Sequence, residues 1–197
     1  MTYADAIRLQ KDVAKKVIFA KDDFGEIRHI CGVDIAYRGD AAYCSAVVMD
    51  RSMQQLVESV DTQTIAKHPY VPGLLMLREA EPIFYTLKLL KNSYDLLLVD
   101  GHGLLHPRKC GLACYIGVTI DKPTIGVAKS RLCGTMRPDG FIELNGEILG
   151  YAVSKKLYIS VGHRITLKTA ITLVKELGVE PLRLAHINSK KKKRSLY

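Results

Sequence analysis

The sequence predicts an α/β fold with a mixed central sheet and helices on its faces. Three extended segments, 30–37, 41–49 and 54–61, follow one another through short linkers, which favours antiparallel pairing. A helical stretch then leads to an apolar run from Leu96 that ends in Asp100. A strand reached through a helical crossover lies parallel to an earlier strand, most simply the first. We therefore expect three antiparallel strands followed by parallel ones.

The first half of the chain has two predicted helices. A capping-box pattern at Thr2, followed by apolar residues at helical spacing, predicts a helix that continues to about Phe19. A polar loop with two prolines, 67–73, separates the three extended segments from a second helix that ends near Lys91. Pro82 inside this helix predicts a kink or a new helix start.

The second half alternates helices and strands. A helix is predicted from about Gly111 to Thr119, after the strand that ends in Asp100. Asn145-Gly146 is a strong hairpin signal. The remaining predicted elements are strands 124–128, 141–144, 147–153 and 157–161 and a last amphipathic helix, 166–177.

Length and charge indicate one domain, 1–189, followed by a basic tail, 190–197. A chain of 197 residues can bury one full core, and its 48% hydrophobic and 25% charged residues are ordinary for a globular protein. The net charge of +9 suggests a polyanionic partner. Five of the positive charges lie at 190–194, and we expect this run to be a disordered tail that adds non-specific affinity for nucleic acid.

Cysteine use and hydropathy predict the cellular setting. The five cysteines are odd in number and form no C-x-x-C pair, which argues against a disulfide framework or a zinc site and for a reducing compartment. No apolar run is long enough for a membrane span, and acids in the first helix are unlike a signal peptide. We expect a cytoplasmic protein without a membrane partner.

Three acids form a candidate metal site. Asp34 in the first strand and Asp100 at the end of the crossover strand come close together if these strands are parallel neighbours. Two such carboxylates repel each other unless a proton or a divalent cation lies between them, and Mg²⁺ or Mn²⁺ suits oxygen ligands. Glu79 follows an apolar segment and is a third candidate. The alternatives are a helix-capping role for Asp100 and a surface position for Glu79.

Four motifs are similar to those of the endonuclease V family of deoxyinosine-directed repair nucleases. The similarity extends from about residue 30 to 187 and implies a ribonuclease H-like fold, in agreement with the strand order above. We expect a monomer. The motifs are YVPG (70–73) with LRE (77–79), VDGHG (99–103) with HPR (106–108), PTIGVAKS (123–130) with LCG (132–134), and GHR (162–164).

The resemblance implies catalytic roles for five residues. Asp34 and Asp100 would ligate Mg²⁺, for which Mn²⁺ can substitute, and Glu79 would hold the metal directly or through water. Lys129 would neutralise charge on the phosphate or orient the attacking water. His186 is at the carboxy-terminal catalytic position of the family. Family members cut the second phosphodiester bond on the 3′ side of inosine and leave 3′-hydroxyl and 5′-phosphate ends; whether one or two metal ions take part stays open.

Base recognition requires a close approach of the backbone. Inosine presents an acceptor at position six and a donor at N1, a pattern that backbone groups can read where glycine lets them come near a flipped base. Gly73, Gly101 and Gly103 are therefore candidates for the base pocket, with ordinary turn positions as the alternative. Their neighbours implied by the resemblance are Leu75, His106, Leu112 and Leu132.

The segment Pro69-Tyr70-Val71-Pro72 is a candidate strand-separating wedge. Two prolines stiffen the loop, so that Tyr70 can fill the gap left by an extruded base. An aromatic residue between prolines can equally pack in a core. The chain departs from the family at Tyr115, where histidine is usual, and we assign that position no role.

The leading hypothesis is a Mg²⁺-dependent endonuclease that acts on deoxyinosine in double- or single-stranded DNA. One alternative is an endoribonuclease for inosine in RNA, since discrimination of the 2′-hydroxyl depends on groove contacts that a sequence does not display. Another is a catalytically silent inosine-binding module, which predicts a missing acid or lysine, whereas all are present. A structural protein with a basic tail has no use for a polar rim at strand ends.

Overall fold

Nine strands form one mixed sheet in the computed structural model, which describes residues 2–52 and 55–194. Their order across the sheet is β3-β2-β1-β4-β5-β9-β8-β7-β6. The pairs β1–β4 and β4–β5 are parallel and the other neighbouring pairs are antiparallel. The strands are β1 His29–Arg38, β2 Ala41–Asp50, β3 Leu56–Ile65, β4 Leu96–Asp100, β5 Thr124–Ala128, β6 Thr135–Met136, β7 Phe141–Leu144, β8 Glu147–Ser154 and β9 Leu157–His163.

The predicted mixed sheet and its crossover are confirmed. β1, β2 and β3 are antiparallel neighbours, and β4 lies parallel to β1. The third strand extends further than predicted, to Ile65, while Gln54 at its predicted start lies outside the described residues. β6, a strand of two residues, was not predicted because so short a segment carries no alternating pattern.

Helices cover both faces of this sheet. They are α1 Tyr3–Ala14, α2 Leu75–Lys88, α3 Leu112–Ile120, α4 Leu167–Leu177 and α5 Glu180–Arg194. α1 ends earlier than predicted, at Ala14 instead of Phe19. α2 continues through Pro82 without a new start. Because proline has no N–H, the carbonyl of Arg78 one turn earlier loses its helical partner, and it accepts a hydrogen bond from the Tyr37 hydroxyl at 3.2 Å.

The structure corrects the expectation of a disordered tail. Residues 190–194 form the last turns of α5, and 195–197 lie outside the described residues. This helix was not predicted, because its lysine-rich half has the composition of a solvated charge run. The other half is anchored by Leu182 and Ala185, which are buried against the sheet.

α5 lies directly on β1 because Gly32 has no side chain. A Cβ on Gly32 would lie 2.2 Å from the backbone nitrogen of Leu182, a distance that no side chain tolerates. Side chains alternate along a strand, so Asp34 is on the same face as Gly32. The close packing of α5 on β1 thus brings the middle of the helix to Asp34.

The opposite face of the sheet packs against α2 and α3. Its core includes Val33 and Val99 from the strands, with Ile83 and Ile116 from the helices. Tyr115, where the family usually has histidine, lies half-buried beside Phe84, with ring centroids 6.3 Å apart. Tyr115 therefore packs at the interface between α2 and α3.

The cysteines are buried packing residues with one half-buried exception. All five thiols are unbridged, as expected. Burial raises the pKa of the Cys31 and Cys114 thiols above the ordinary value, so both stay protonated and apolar at neutral pH. Within the described ranges, the helices are too short or too polar to cross a bilayer.

Candidate active site

Asp34 and Asp100 are side by side where the parallel ladder between β1 and β4 ends, Asp34 in the middle of β1 and Asp100 at the carboxyl end of β4. The β1–β4 register pairs Gly32 with Leu98 and Val33 with Val99, so the next residue on each strand is an acid. Both carboxylates point to the face covered by α5, where Asp34 is 7% exposed. The adjacency predicted from the crossover is confirmed.

Two residues of α5 contact Asp34. The Nδ1 atom of His186 lies 2.8 Å from Oδ2 of Asp34, and the Ser189 hydroxyl donates to the same oxygen at 3.1 Å. Burial, and then the charge of Asp100, raise the pKa of Asp34 to about 6. His186 opposes this shift by supporting the ionised form.

Lys129 completes the group from the end of β5. Its Nζ lies 2.8 Å from Oδ2 of Asp100 and 3.4 Å from Nδ1 of His186. The four side chains therefore form a continuous series of polar contacts, from Asp34 through His186 and Lys129 to Asp100. Lys129 is 62% exposed, so its charge remains open to an incoming anion.

This group could hold a metal ion. One ligand atom each from Asp34, Asp100 and His186 lies within 4.8 Å of the others. The two carboxylates fit a hard divalent cation, because the ion would balance two like charges that repel in its absence. Two of the three predicted metal ligands, Asp34 and Asp100, belong to this group, and the third member is His186 in place of Glu79.

Glu79 approaches the acids from α2. It is half-buried and lines the same cavity as Asp34 and Asp100, but it is not part of the 4.8 Å group found among the described residues. Burial, and then the charges of Asp34 and Asp100, raise the pKa of Glu79 to about 8. A contact to a cation through water fits this position better than direct ligation.

One cavity of about 450 Å³ joins the acids to the predicted base pocket. Its volume is within the range of ligand sites, roughly 300–1,000 Å³. Asp34, Glu79, Asp100 and Lys129 line one part of it. The base-pocket candidates that line it are Gly73, Leu75, Gly101, His106, Leu112 and Leu132.

The turn at Gly73 is held by three donors. Gly73 has φ +75°, a conformation that favours glycine. Its carbonyl oxygen accepts from Arg108 Nη2 at 2.6 Å, Gln10 Nε2 at 3.1 Å and His106 Nε2 at 3.2 Å. Such a fixed carbonyl gives this wall of the cavity a defined shape.

His106 is held as the neutral imidazole. Its Nδ1 accepts from the backbone N–H of Arg108 at 3.1 Å, so the ring proton must be on Nε2, which donates to Gly73. Burial, and then the charge of Arg108, lower the pKa of His106 to about 4. A second proton, on Nδ1 of His106, would point at the Arg108 N–H, which is itself a donor.

Two polar residues of the site, Gln10 and Ser189, were not predicted from the sequence. Gln10 on α1 is 1% exposed and donates to the Gly73 and Cys110 carbonyls. Its position between the buried residues Ala6 and Val13, at helical spacing, is a signal that could have found it. Ser189 had no signal, since it lies in a helix that was not predicted.

The structure separates the roles of Gly101 and Gly103. Gly101 lines the cavity, and a Cβ there would meet Leu112 at an ordinary 3.4 Å. Gly103 does not line it: a Cβ on Gly103 would lie 1.9 Å from the Val161 carbonyl oxygen, and its N–H donates to Ser160 at 2.8 Å. Gly103 is therefore a close-packing glycine and is removed from the predicted pocket.

The predicted wedge is an exposed aromatic on an anchored loop. Tyr70 is 64% exposed at the mouth of the cavity, which excludes the core-packing alternative, and Pro69 and Pro72 are exposed on either side of it. Val71 is half-buried against the α2 core. Arg78 holds the preceding segment by donating to the His68 carbonyl at 2.8 Å.

A cation-compatible acid pair beside a lysine suits the hydrolysis of phosphodiester bonds, because the group can take up the negative charge of a phosphate. On a sheet of ribonuclease H-like order, this site defines a nuclease. The Endonuclease V family model matches residues 11–187. The chain belongs to the endonuclease V family.

Relatives from distant organisms agree with this assignment. The endonuclease V of Thermofilum pendens is 43% identical over 92% of this chain and 85% of its own length. The structure of the endonuclease V of Streptomyces avermitilis has a TM-score of 0.88 at 29% identity, with 98% of this chain and 93% of that chain covered. The Ciona intestinalis endonuclease V has a TM-score of 0.87 at 26% identity, with 99% of both chains covered, and was crystallised with a 24mer DNA containing an inosine followed by a ribo-adenosine.

Proposed function

We propose that this chain is a Mg²⁺-dependent endonuclease that recognises deoxyinosine in DNA. It hydrolyses the second phosphodiester bond on the 3′ side of the lesion and leaves 3′-hydroxyl and 5′-phosphate ends. The main support is that the acids and the base-pocket candidates line one cavity, so a flipped base and a nearby phosphate can be bound together. The Ciona intestinalis complex with inosine-containing DNA supports the same substrate.

The acids and their neighbours have different roles in the reaction. Asp34 and Asp100 would hold Mg²⁺, with Glu79 acting through water; the bound ion would polarise the scissile phosphate and activate the attacking water. Lys129 neutralises charge that develops on the phosphate. His186 and Ser189 orient the Asp34 carboxylate through their bonds to Oδ2.

Base recognition uses the other half of the cavity. Leu75, Leu112 and Leu132 provide apolar surface for a base ring, while Gly101 lines the cavity without a side chain of its own and lets a base approach its backbone. Tyr70 at the mouth would occupy the gap left in the stacked bases. We infer a monomeric, cytoplasmic enzyme with its catalytic domain over 1–189.

An inosine-specific endoribonuclease is the second candidate. One observation favours it: the DNA bound to the Ciona intestinalis relative carries a ribonucleotide directly after the inosine. A catalytically silent module is disfavoured, because Asp34, His186, Lys129 and Asp100 form one continuous series of contacts.

A denaturing gel tests the proposal. End-labelled duplexes with one deoxyinosine, or one riboinosine, are incubated with the full chain in Mg²⁺ or in EDTA, with Asp100→Asn as the inactive control. We expect one Mg²⁺-dependent cut, one nucleotide beyond the deoxyinosine. Cleavage of the riboinosine substrate alone would indicate that the enzyme acts on RNA. Inosine-selective binding without cleavage would support the silent module.

A further inference from the structure

The turn between β8 and β9 presents two adjacent lysines, Lys155 and Lys156. Both are exposed. The turn is held from both sides, since Tyr158 donates its hydroxyl proton to the Lys155 carbonyl at 3.3 Å and the Lys156 N–H donates to Ser154 Oγ at 3.3 Å. The two cations therefore occupy a defined place in the fold.

This turn is on the same sheet edge as the acids. Ala128 at the end of β5 pairs with Tyr158 near the start of β9, so the turn follows directly beside Lys129. β9 and β8 are the second and third strands from β4, which carries Asp100. At a strand spacing of about 4.8 Å, the turn lies ~10–14 Å from the strand that bears the acid.

Three cations along this edge, Lys155, Lys156 and Arg131, have no acidic partner within the described residues. The ion pairs formed within 2–52 and 55–194 include none of them, whereas Lys129 is paired with Asp100. Arg131 lines the cavity. At the opposite end of the sheet, by contrast, Arg164 is bound by Asp121 and Asp23. The positive charge beside the active site is thus open to an external anion.

We propose that Lys155 and Lys156 bind the sugar–phosphate backbone of the substrate about three to four base pairs away from the scissile bond, with Arg131 beneath the intervening phosphates. The distance follows from the ~10–14 Å separation and the 3.4 Å rise of each base-pair step. The inference rests on the proposed function, which places the scissile phosphate at Asp100. It predicts a substrate track that leaves the cavity on the β9–β8 side.

The test compares Lys155→Ala/Lys156→Ala with a charge-matched control, Lys15→Ala/Lys16→Ala. The control lysines are also adjacent and exposed, and they lie at the opposite end of the sheet, where the nearby Ile18 N–H donates to His163. Affinity for a deoxyinosine duplex is measured in EDTA as a function of salt. A second series measures cleavage in Mg²⁺ while either flank of the duplex is shortened from ten to two base pairs.

We expect the turn variant to lower the slope of log affinity against log salt by about 2, since each phosphate contact contributes ~0.9. Wild type and the control should lose activity when one flank falls below about four base pairs, whereas the turn variant should be insensitive to that flank. Wild-type slope and flank dependence in the turn variant would overturn the proposal, as would equal effects in the control. If no protein cleaves, the proposed function fails, yet the salt slopes still decide the role of the turn.

Discussion

Val33 of β1 lies opposite Val99 of β4 in a parallel ladder, and the residue that follows each valine is an acid of the candidate site. Because both strands run in the same direction, Asp34 and Asp100 emerge together on the face covered by α5. A register shift of one residue would turn one carboxylate to the other face of the sheet. The site therefore depends on this single strand pairing.

Replacement of Asp34 by asparagine should abolish cleavage and stabilise the metal-free fold. The native pKa of about 6 exceeds the unfolded value of 3.8, so ionisation of Asp34 costs stability as the pH rises from about 4 past 6. At pH 7.5 in EDTA, we expect Asp34→Asn to gain on the order of 1 kcal/mol, or ~2–4 °C in Tm, once the weakened bond to His186 is included.

Thermal unfolding with and without Mg²⁺ supplies the control. A saturating ion stabilises the folded wild type by about 2.7 kcal/mol at one hundred times its Kd, and this gain should vanish in Asp34→Asn. Removing Mg²⁺ with EDTA should stop wild-type cleavage. Wild-type turnover in the variant, or an undiminished Mg²⁺ shift, would refute the metal assignment.

Tyr70→Ala should weaken binding to a deoxyinosine duplex by about tenfold, the equivalent of ~1.4 kcal/mol. Cleavage of a single strand should change little, because no partner strand has to be held apart. Tyr85→Ala is the matched control, since Tyr85 is 50% exposed on α2 and does not line the cavity. Equal losses on duplex and single strand would mean that Tyr70 supports the fold of the loop and is not a wedge.

His106 should make the protein sensitive to mild acid. Its folded pKa of about 4 is below the unfolded value of 6.5, so the stability it contributes is complete above pH 6.5 and is lost as the pH falls towards 4. The loss for this group is about 2–3 kcal/mol. Urea unfolding of wild type and His106→Gln at pH 7 and pH 4.5 measures it.

The Gln variant retains a donor and an acceptor without titrating, so its stability should fall less over this pH range. His68→Asn removes a histidine outside the cavity and should leave the wild-type dependence unchanged. An identical pH dependence in His106→Gln and wild type would show that the Gly73 turn does not require the neutral imidazole.

The basic end of α5 should contact nucleic acid through one face. At 100° per residue, Lys190 and Lys193 lie within about 40° of His186 around the helix, while Lys191 is ~140° away. Lys190→Ala/Lys193→Ala should therefore reduce the salt slope of binding by about 1–2, and Lys191→Ala should not. Base preference and the cut position should stay as in wild type. A loss of inosine preference would place this helix end in recognition.

Much of the fold was predicted from local sequence patterns. Extended segments joined by short linkers predicted the antiparallel strands, and the helical crossover predicted that β4 pairs with β1 in parallel. From these two facts the proximity of Asp34 and Asp100 follows. Linker length and crossover geometry are short-range or topological properties, so one sequence is enough to infer them.

Contacts between distant segments decided the rest. α5 packs closely on β1 because Gly32 leaves room for the backbone at Leu182, and this packing brings His186 and Ser189 to Asp34. Gln10 becomes part of the cavity wall through residues 63 and 100 positions away. Gly103 has the sequence context of a pocket glycine, but the position requires glycine because the backbone packs closely against Val161.

The sequence by itself determined that β1, β2 and β3 are antiparallel, that β4 lies parallel to β1 so that Asp34 and Asp100 meet, and which chemistry these acids can support. The tertiary structure alone decided which helix covers the acids, which glycines face the cavity and which polar side chains orient the acids. The physical reason is that burial and hydrogen bonding depend on what packs against a residue, and those partners come from elsewhere in the chain.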